Sequence, residues 1–276
     1  MRIIKSLGRG GFGEVFLVSY KGRQAVLKAL HCKKESAATR LHTEARMMAS
    51  INHPATLKVF EITTYMGMAA IIMEYVEGWD LSELDTIPLR PLLEVLVSVA
   101  GAVEAASHHG VVHRDVKPSN VRVGKHAQVK LLDFGIAKGE NPEAHTKTGH
   151  LVGSLPYIAP ERFRGEPCTT ASDVFSLGLM LFEGVKGERL LPKSPMACYG
   201  LAMSRELYES HLAENLQDMP HNLMGLLTWS LSHEPSERIQ IEEMVDALLG
   251  LADSVRGKTL KQWIKTLTNN SRATTL

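Results

Sequence analysis

The period of the apolar positions changes along this chain, and the change divides it into two parts. Ile4 to Leu7, Glu14 to Ser19 and Gln24 to Ala29 are short β-prone runs separated by glycine-bearing turns, which predicts three antiparallel strands of a meander. From Ser36 to Ile51 the spacing becomes helical, with Leu41, Ala45, Met48 and Ala49 on one face, and Asn52-His53-Pro54 predicts the stop. Two more strands are expected over Thr56 to Thr64 and Ala69 to Met73. Beyond Glu74-Tyr75-Val76-Glu77-Gly78 the pattern turns mainly helical: a long apolar helix over Leu92 to His108, then Ser172 to Glu183, Leu223 to Leu231 and Ile241 to Leu251. Short strands at Val121 to Val123 and Val129 to Leu131 flank the turn containing Gly124, and they set Asn120 and Asp133 at the ends of neighbouring strands. The expected fold class is α+β, with a small antiparallel sheet lobe carrying one main helix and a larger helical lobe. One domain is expected over 1–276: small lobe 1–73, hinge 74–78, helical lobe 79–265. The last stretch, Thr266 to Leu276, is rich in Thr and Asn without periodicity and reads as a frayed, disordered tail.

Composition narrows the function classes. In 276 residues, 44% hydrophobic content supplies a substantial core. A net charge of +1 gives no field for holding nucleic acid or an anionic membrane. Cys32, Cys168 and Cys198 are odd in number and far apart, which supports neither a disulfide framework nor a zinc site and suggests a reducing cytoplasm. The start, Met1-Arg2-Ile3-Ile4-Lys5, is too short and charged for a signal peptide, and no run approaches the roughly twenty apolar residues of a membrane span. The expectation is a soluble chain with no sensor domain or anchor of its own.

The candidate chemistry lies in four segments. Gly8-Arg9-Gly10-Gly11-Phe12-Gly13-Glu14-Val15 spaces glycines so that backbone N–H groups can press against phosphates with no Cβ in the way. A strand, Val15 to Val18, follows it, where a dinucleotide fold would place a helix. Lys28 ends the apolar run Ala25-Val26-Leu27, so its ammonium points from a buried strand into a cleft and needs anionic partners. His113-Arg114-Asp115-Val116-Lys117-Pro118-Ser119-Asn120, followed by Asp133-Phe134-Gly135, gathers two carboxylates, two cations and an amide. Ala159-Pro160-Glu161 completes the set.

From about Ile4 to Leu249 these motifs resemble the protein kinase family, specifically the eukaryotic-type (Hanks-type) serine/threonine kinases, with phrasing that looks bacterial. The resemblance implies a two-lobed kinase fold that transfers the γ-phosphate of ATP with Mg²⁺, or Mn²⁺ in its place, to Ser/Thr hydroxyls of protein substrates. It makes Asp115 the carboxylate that accepts the hydroxyl proton, with Lys117 and Lys28 placing positive charge on phosphates. Asn120 and Asp133 become metal ligands. Leu7, Gly8, Gly10, Gly11, Gly13, Val15, Ala25, Lys28, Glu44, Met73, Glu74 and Val76 would line the nucleotide site. Within that set Glu44 pairs with Lys28, Glu35 being next in line, and the backbone of Glu74 and Val76 bonds adenine. Met73 either gates the back of the pocket or fills the core. Thr146 and Thr148, in the polar segment Ile136 to Ile158, are the expected regulatory phosphorylation sites, with Arg114 as counter-charge. Ser154 stands where many family members carry threonine, and the change keeps the hydroxyl.

The remaining motif residues read as structural. Glu161 and Arg238 match the family's buried ion pair, and Asp173 is expected to cap a helix and hold the catalytic-loop backbone. His113 reads as a packed residue near Phe134. Homodimerisation for phosphorylation in trans is compatible with the resemblance, although no residue demands it. The alternative is a pseudokinase that binds nucleotide as a scaffold, a class usually marked by loss of residues equivalent to Lys28, Asp115, Asn120 or Asp133, all of which are present. A small-molecule kinase of related fold would lack the long loop ending at Ala159-Pro160-Glu161.

Overall fold

Five strands from the first 74 residues form one antiparallel sheet: β1 (Arg2–Gly10), β2 (Gly13–Tyr20), β3 (Arg23–Leu30), β4 (Val59–Tyr65) and β5 (Met68–Glu74), in the order β1-β2-β3-β5-β4. This computed structural model describes residues 1–10, 13–30, 45, 46, 48–134 and 155–273. β4 starts at Val59, later than the expected Thr56, because Thr56 is drawn into a lone parallel bridge with Leu131 and its hydroxyl donates to His53 O at 2.8 Å.

Strand alternation gives the sheet two different faces. On one, Val18, Tyr20, Ala25, Leu27, Ala29, Ala70 and Ile72 close a small separate core. The other carries Lys28 and Val26, with their directly opposed neighbours Val15 on β2 and Ile71 and Met73 on β5. Ile71 and Met73 belong to the main core, as do Ala45 and Met48 of helix α1, of which residues 45, 46 and 48–50 are described.

A second sheet begins the larger lobe: β6 (Gly78–Asp80), β7 (Val121–Gly124) and β8 (Val129–Leu131), antiparallel in that order. β6 escaped the sequence reading because it is only three residues long. It exists because Gly78 lets the backbones meet: a Cβ there would lie 2.1 Å from Val123 O.

The helices are α2 (Leu89–Ser107), α3 (Pro160–Phe163), α4 (Thr170–Lys186), α5 (Pro195–Met203), α6 (Arg205–Leu216), α7 (His221–Ser230), α8 (Ile241–Ser254) and α9 (Leu260–Ala273). α2 is apolar nearly all round, and Leu93, Val95, Leu96, Val99, Ala100 and Ala102 are fully buried, as an all-round apolar helix requires. Gly101 on α2 receives the His53 ring from the small lobe, since a Cβ at Gly101 would sit 2.9 Å from His53 Nε2.

α9 corrects the expectation of a disordered tail from Thr266. Leu260, Trp263, Ile264 and Leu267 recur at helical spacing, and the first three are at least 92% buried, so packing carries the helix through its threonines to Ala273. Glu94 of α2 accepts Leu260 N–H at 2.8 Å and fixes the entry. Among the described residues no helix is long and apolar enough to cross a membrane.

Glu161 of α3 and Arg238 form the expected buried pair. Arg238 Nη1 and Nη2 donate to the two carboxylate oxygens at 2.8 and 2.7 Å, Ser172 Oγ adds a third bond at 2.6 Å, and both side chains are at most 1% exposed. Burial alone would raise the Glu161 carboxyl, but Arg238 and Ser172 outweigh it and hold the group below the usual 4.5. Arg238→Met, which strands the carboxylate, is expected to cost about 3–5 kcal/mol in chemical denaturation, while the double variant Glu161→Gln/Arg238→Met recovers the part due to the stranded charge and not the part due to the carbonyls that Arg238 bonds. Because the folded pKa is lowered, this stabilisation is present above pH 4.5 and is lost as pH falls through the folded value. The double variant should accordingly show a shallower loss of melting temperature on acidification than the wild type.

Candidate active site

The loop from His113 to Asn120 is held from beneath by one carboxylate. Asp173, 1% exposed in the first turn of α4, accepts the backbone N–H of His113 at 2.7 Å on one oxygen and that of Arg114 at 2.9 Å on the other. Burial pushes its carboxyl up to about 7 against the opposing pull of those N–H groups. Asp173 does not cap the helix as expected. The cap is Thr169, in a reciprocal capping box with Ser172, which leaves the Asp173 side chain for the loop.

The loop backbone needs this support because Arg114 adopts φ +69°, a left-handed conformation unfavourable for a side chain of its size. Arg162 Nη1 donates to Arg114 O at 2.8 Å and braces the same residue from α3. The His113 ring is fully buried, edge-on to Phe134 at 4.7 Å, and its Nε2 donates to Leu132 O at 2.8 Å while Nδ1 accepts Asp115 N–H at 3.3 Å. It is the packed residue that the sequence suggested.

These restraints gather three polar side chains. Lys117 Nζ lies 2.9 Å from Asp115 Oδ2, and Asn120 Nδ2 donates to Asp115 O at 2.8 Å and to Asp115 Oδ2 at 3.0 Å. Asn120 O in turn accepts Leu132 N–H at 2.7 Å, which ties the loop to the strand exit at Asp133. Asp133 also has a left-handed backbone, at φ +55°, and its carboxylate pairs with Lys28 across the cleft. The five residues thus fall into two bonded groups, Asp115-Lys117-Asn120 and Lys28-Asp133, linked through the Asn120 O to Leu132 N–H bond. Glu44, Glu35, Gly11, Thr146, Thr148, Ser154 and Gly135 lie outside the described residues.

Of the residues expected to line a nucleotide site, Leu7 sits in a β-bulge between Ser6 and Gly8, 41% exposed, and Gly10 pairs with Gly13 at the end of the β1–β2 hairpin. Val15 lies opposite Lys28, and Met73 opposite Val26. Glu74 ends β5, and Val76 lies in the link 75–77 that joins β5 to β6.

Ala25 does not belong on this wall. It is an odd number of residues from Lys28, so its side chain faces the separate small-lobe core. Val26, two residues before Lys28, takes that place, and counting back by two from the lysine would have found it. Two cations also escaped the sequence reading. Lys130 on β8 is 5% exposed, with Nζ 2.8 Å from Glu74 Oε2 and donating to Thr56 O at 2.9 Å. Arg122 on β7 donates from Nε to Val76 O at 3.2 Å and from Nη1 to Asp80 Oδ1 at 2.8 Å.

Comparison with known proteins decides the family, since the profile described as "Protein kinase domain" matches residues 1–248. The chain belongs to the protein kinase family. This kinase domain is of the eukaryotic, serine/threonine type found in bacteria. It is 34% identical over 197 residues to a probable serine/threonine-protein kinase PknB of Lactococcus lactis, covering 68% of this chain and 31% of that protein. It is 30% identical over 285 residues to the serine/threonine-protein kinase PknD of Protochlamydia amoebophila, covering 88% and 29%. The tyrosine-protein kinase MasK of Myxococcus xanthus is also similar, at 31% identity over 272 residues, covering 89% and 42%. The kinase domain thus spans less than half the length of each of these relatives. Among solved structures it resembles the kinase domain of Mycobacterium tuberculosis PknI, with a TM-score of 0.64 and 25% identity, covering 90% of this chain and 94% of that one.

Asp173→Ala strands two buried backbone N–H groups, at about 1–3 kcal/mol each, and releases the left-handed turn at Arg114. Hydrogen exchange at His113 and Arg114 is expected to accelerate about ten-fold or more in this variant, and less in Asp173→Asn, which keeps one acceptor.

Proposed function

We propose that this chain is an ATP-dependent serine/threonine protein kinase. The observation that carries the reading is the convergence of Asp115, Lys117 and Asn120 in one hydrogen-bonded cluster, tied by the Asn120 O to Leu132 N–H bond to the strand exit that bears the Lys28–Asp133 pair. In the proposed reaction a substrate hydroxyl gives its proton to Asp115 as its oxygen bonds to the γ-phosphorus. The bond from that phosphorus to the β–γ bridging oxygen breaks, and ADP leaves. Lys117, already at Asp115, places positive charge where the transferring group gains negative charge, and Lys28 holds the outer phosphates.

The residues fit a hard divalent cation such as Mg²⁺. Asp133 offers a half-exposed carboxylate, and Asn120 commits its amide nitrogen to Asp115, which assigns its carbonyl oxygen to the metal. Such an ion would neutralise phosphate charge. The chain's own contribution is to hold both ligands on one strand pair, through the Asn120 O to Leu132 N–H bond. Protein hydroxyls are the proposed substrates and the cytoplasm the proposed site of action. Thr146 and Thr148 are proposed as sites of autophosphorylation, for which two copies of the chain would have to meet.

The test is incubation of the purified chain with Mg²⁺ and γ-labelled ATP, beside Asp133→Asn and Lys28→Met, with labelled residues located by mass spectrometry. Incorporation at Thr146 or Thr148 that falls at least about a hundred-fold in both variants is expected. Nucleotide binding without transfer to the chain or to a generic protein substrate would instead make it a scaffold.

A further inference from the structure

We propose that Glu104, His108 and Glu242 form a binding site for a divalent transition-metal ion of the zinc class, which staples the end of α2 to the start of α8. The site shares no residue with the cleft, so the inference stands apart from the kinase reading and goes beyond it.

Local geometry delivers the three side chains. Glu104 and His108 are four residues apart in the last turn of α2, where Glu104 O accepts His108 N–H at 3.2 Å, so both side chains leave the helix on one face. Glu242 lies in the first turn of α8. The capping role there falls to its neighbour Glu243, which accepts Gln240 N–H at 3.1 Å, so the cap makes no demand on the Glu242 carboxylate. Beneath these groups α2 packs along α8 through residues adjacent in sequence: Val103 and Ala106 are 1% exposed, and Ile241 and Met244 at most 4%. Core packing therefore sets the spacing of the polar groups above it.

That spacing suits a shared cation. One imidazole nitrogen and one oxygen of each carboxylate all lie within 4.8 Å of one another. His108 Nε2 is 3.5 Å from Glu242 Oε1, too long for a good hydrogen bond. It is close to the roughly 3.3–3.5 Å that separates two ligands each about 2.0–2.2 Å from a tetrahedral zinc ion. Among the described residues neither glutamate pairs with a lysine or an arginine, so packing holds two like charges together with only an imidazole between them. A divalent ion supplies the missing charge, and the negative pole of α2 favours it at that end of the helix. The histidine decides the class of ion. Mg²⁺ and Ca²⁺ take oxygen ligands, whereas an imidazole beside carboxylates suits Zn²⁺ and its neighbours in the first transition row. Three protein ligands leave a position for water. His108 and Glu242 are 62% and 51% exposed, so an ion can reach them without any opening of the fold.

The experiment is titration of Zn²⁺ into the whole chain in excess Mg²⁺, with bound metal counted by elemental analysis. It is run beside His108→Ala, Glu242→Gln and Asp133→Asn, each first shown to keep the metal-free melting midpoint. One Zn²⁺ per chain is expected in the wild type and in Asp133→Asn, and binding about ten-fold weaker or more in His108→Ala and Glu242→Gln. The melting midpoint should rise with Zn²⁺ in the wild type and not in His108→Ala. Co²⁺ in place of Zn²⁺ should give visible absorption bands that His108→Ala removes. Absence of a stoichiometric ion in the wild type overturns the proposal. Wild-type binding in His108→Ala or Glu242→Gln also overturns it, since the ion would then sit on other side chains, as does loss of binding in Asp133→Asn, which would place the ion in the cleft. None of these readouts involves phosphate transfer, so failure of the kinase reading is a separate outcome.

Discussion

The polar groups of the loop from His113 to Asn120 hang on the carboxylate of Asp173. A loop that turns through a left-handed arginine has backbone N–H groups that no helix or strand ladder can satisfy, and leaving them unmet in the interior would cost about 1–3 kcal/mol apiece. The first turn of α4 supplies an acceptor for each, and it can do so because Thr169 and Ser172 have already taken over the cap. With the backbone pinned at His113 and Arg114, Asp115 follows one residue on, and Lys117 and Asn120 have a fixed atom to bond. The buried carboxylate under the loop holds the backbone, and above it the two charges that are themselves largely withdrawn from water, Asp115 and Lys117, neutralise each other. The three side chains of the cluster stay between 8% and 16% exposed.

Buried ion pairs are used in this chain as fasteners rather than as net sources of stability. Glu161 and Arg238 come from segments far apart in sequence, and Arg238 also donates to the carbonyls of Ser232, Ala171 and His233. Its donors therefore close several chain ends that would otherwise need water. An apolar pair of similar volume could match the energy of the salt bridge, but it could not satisfy those carbonyls.

The sequence made the two-lobed plan legible because periods of two and of 3.6 residues occupy different parts of the chain. It also exposed the cleft residues, whose identities are dictated by chemistry: Lys28, Asp115, Lys117, Asn120 and Asp133 all come together. Errors arose where composition was read in place of geometry. Thr266 onward looked polar and aperiodic, yet the stripe that holds it begins earlier, at Leu260, and ends at Leu267. Ala25, which the resemblance implies for the nucleotide site, lies on the far face by strand parity. β6, Lys130 and Arg122 were missed for a different reason, since their roles depend on partners in another strand or the hinge. No local pattern announces such a partner.

Lys130 deserves a mechanical reading. Its ammonium bonds Glu74 and Thr56, both delivered by the small lobe, while its own strand runs into Asp133 in the large one, and Leu131 N–H donates to Ala55 O alongside. The two lobes are thus stitched along a short line beside the hinge, and away from it they are bridged by the Lys28–Asp133 pair, whose carboxylate is half exposed. Rigid bodies joined along one edge have a single soft coordinate, rotation about that edge. Breathing of the cleft should then resemble a page turning on its spine, which changes the separation of the lobes at the phosphate end while leaving the hinge-side width nearly constant.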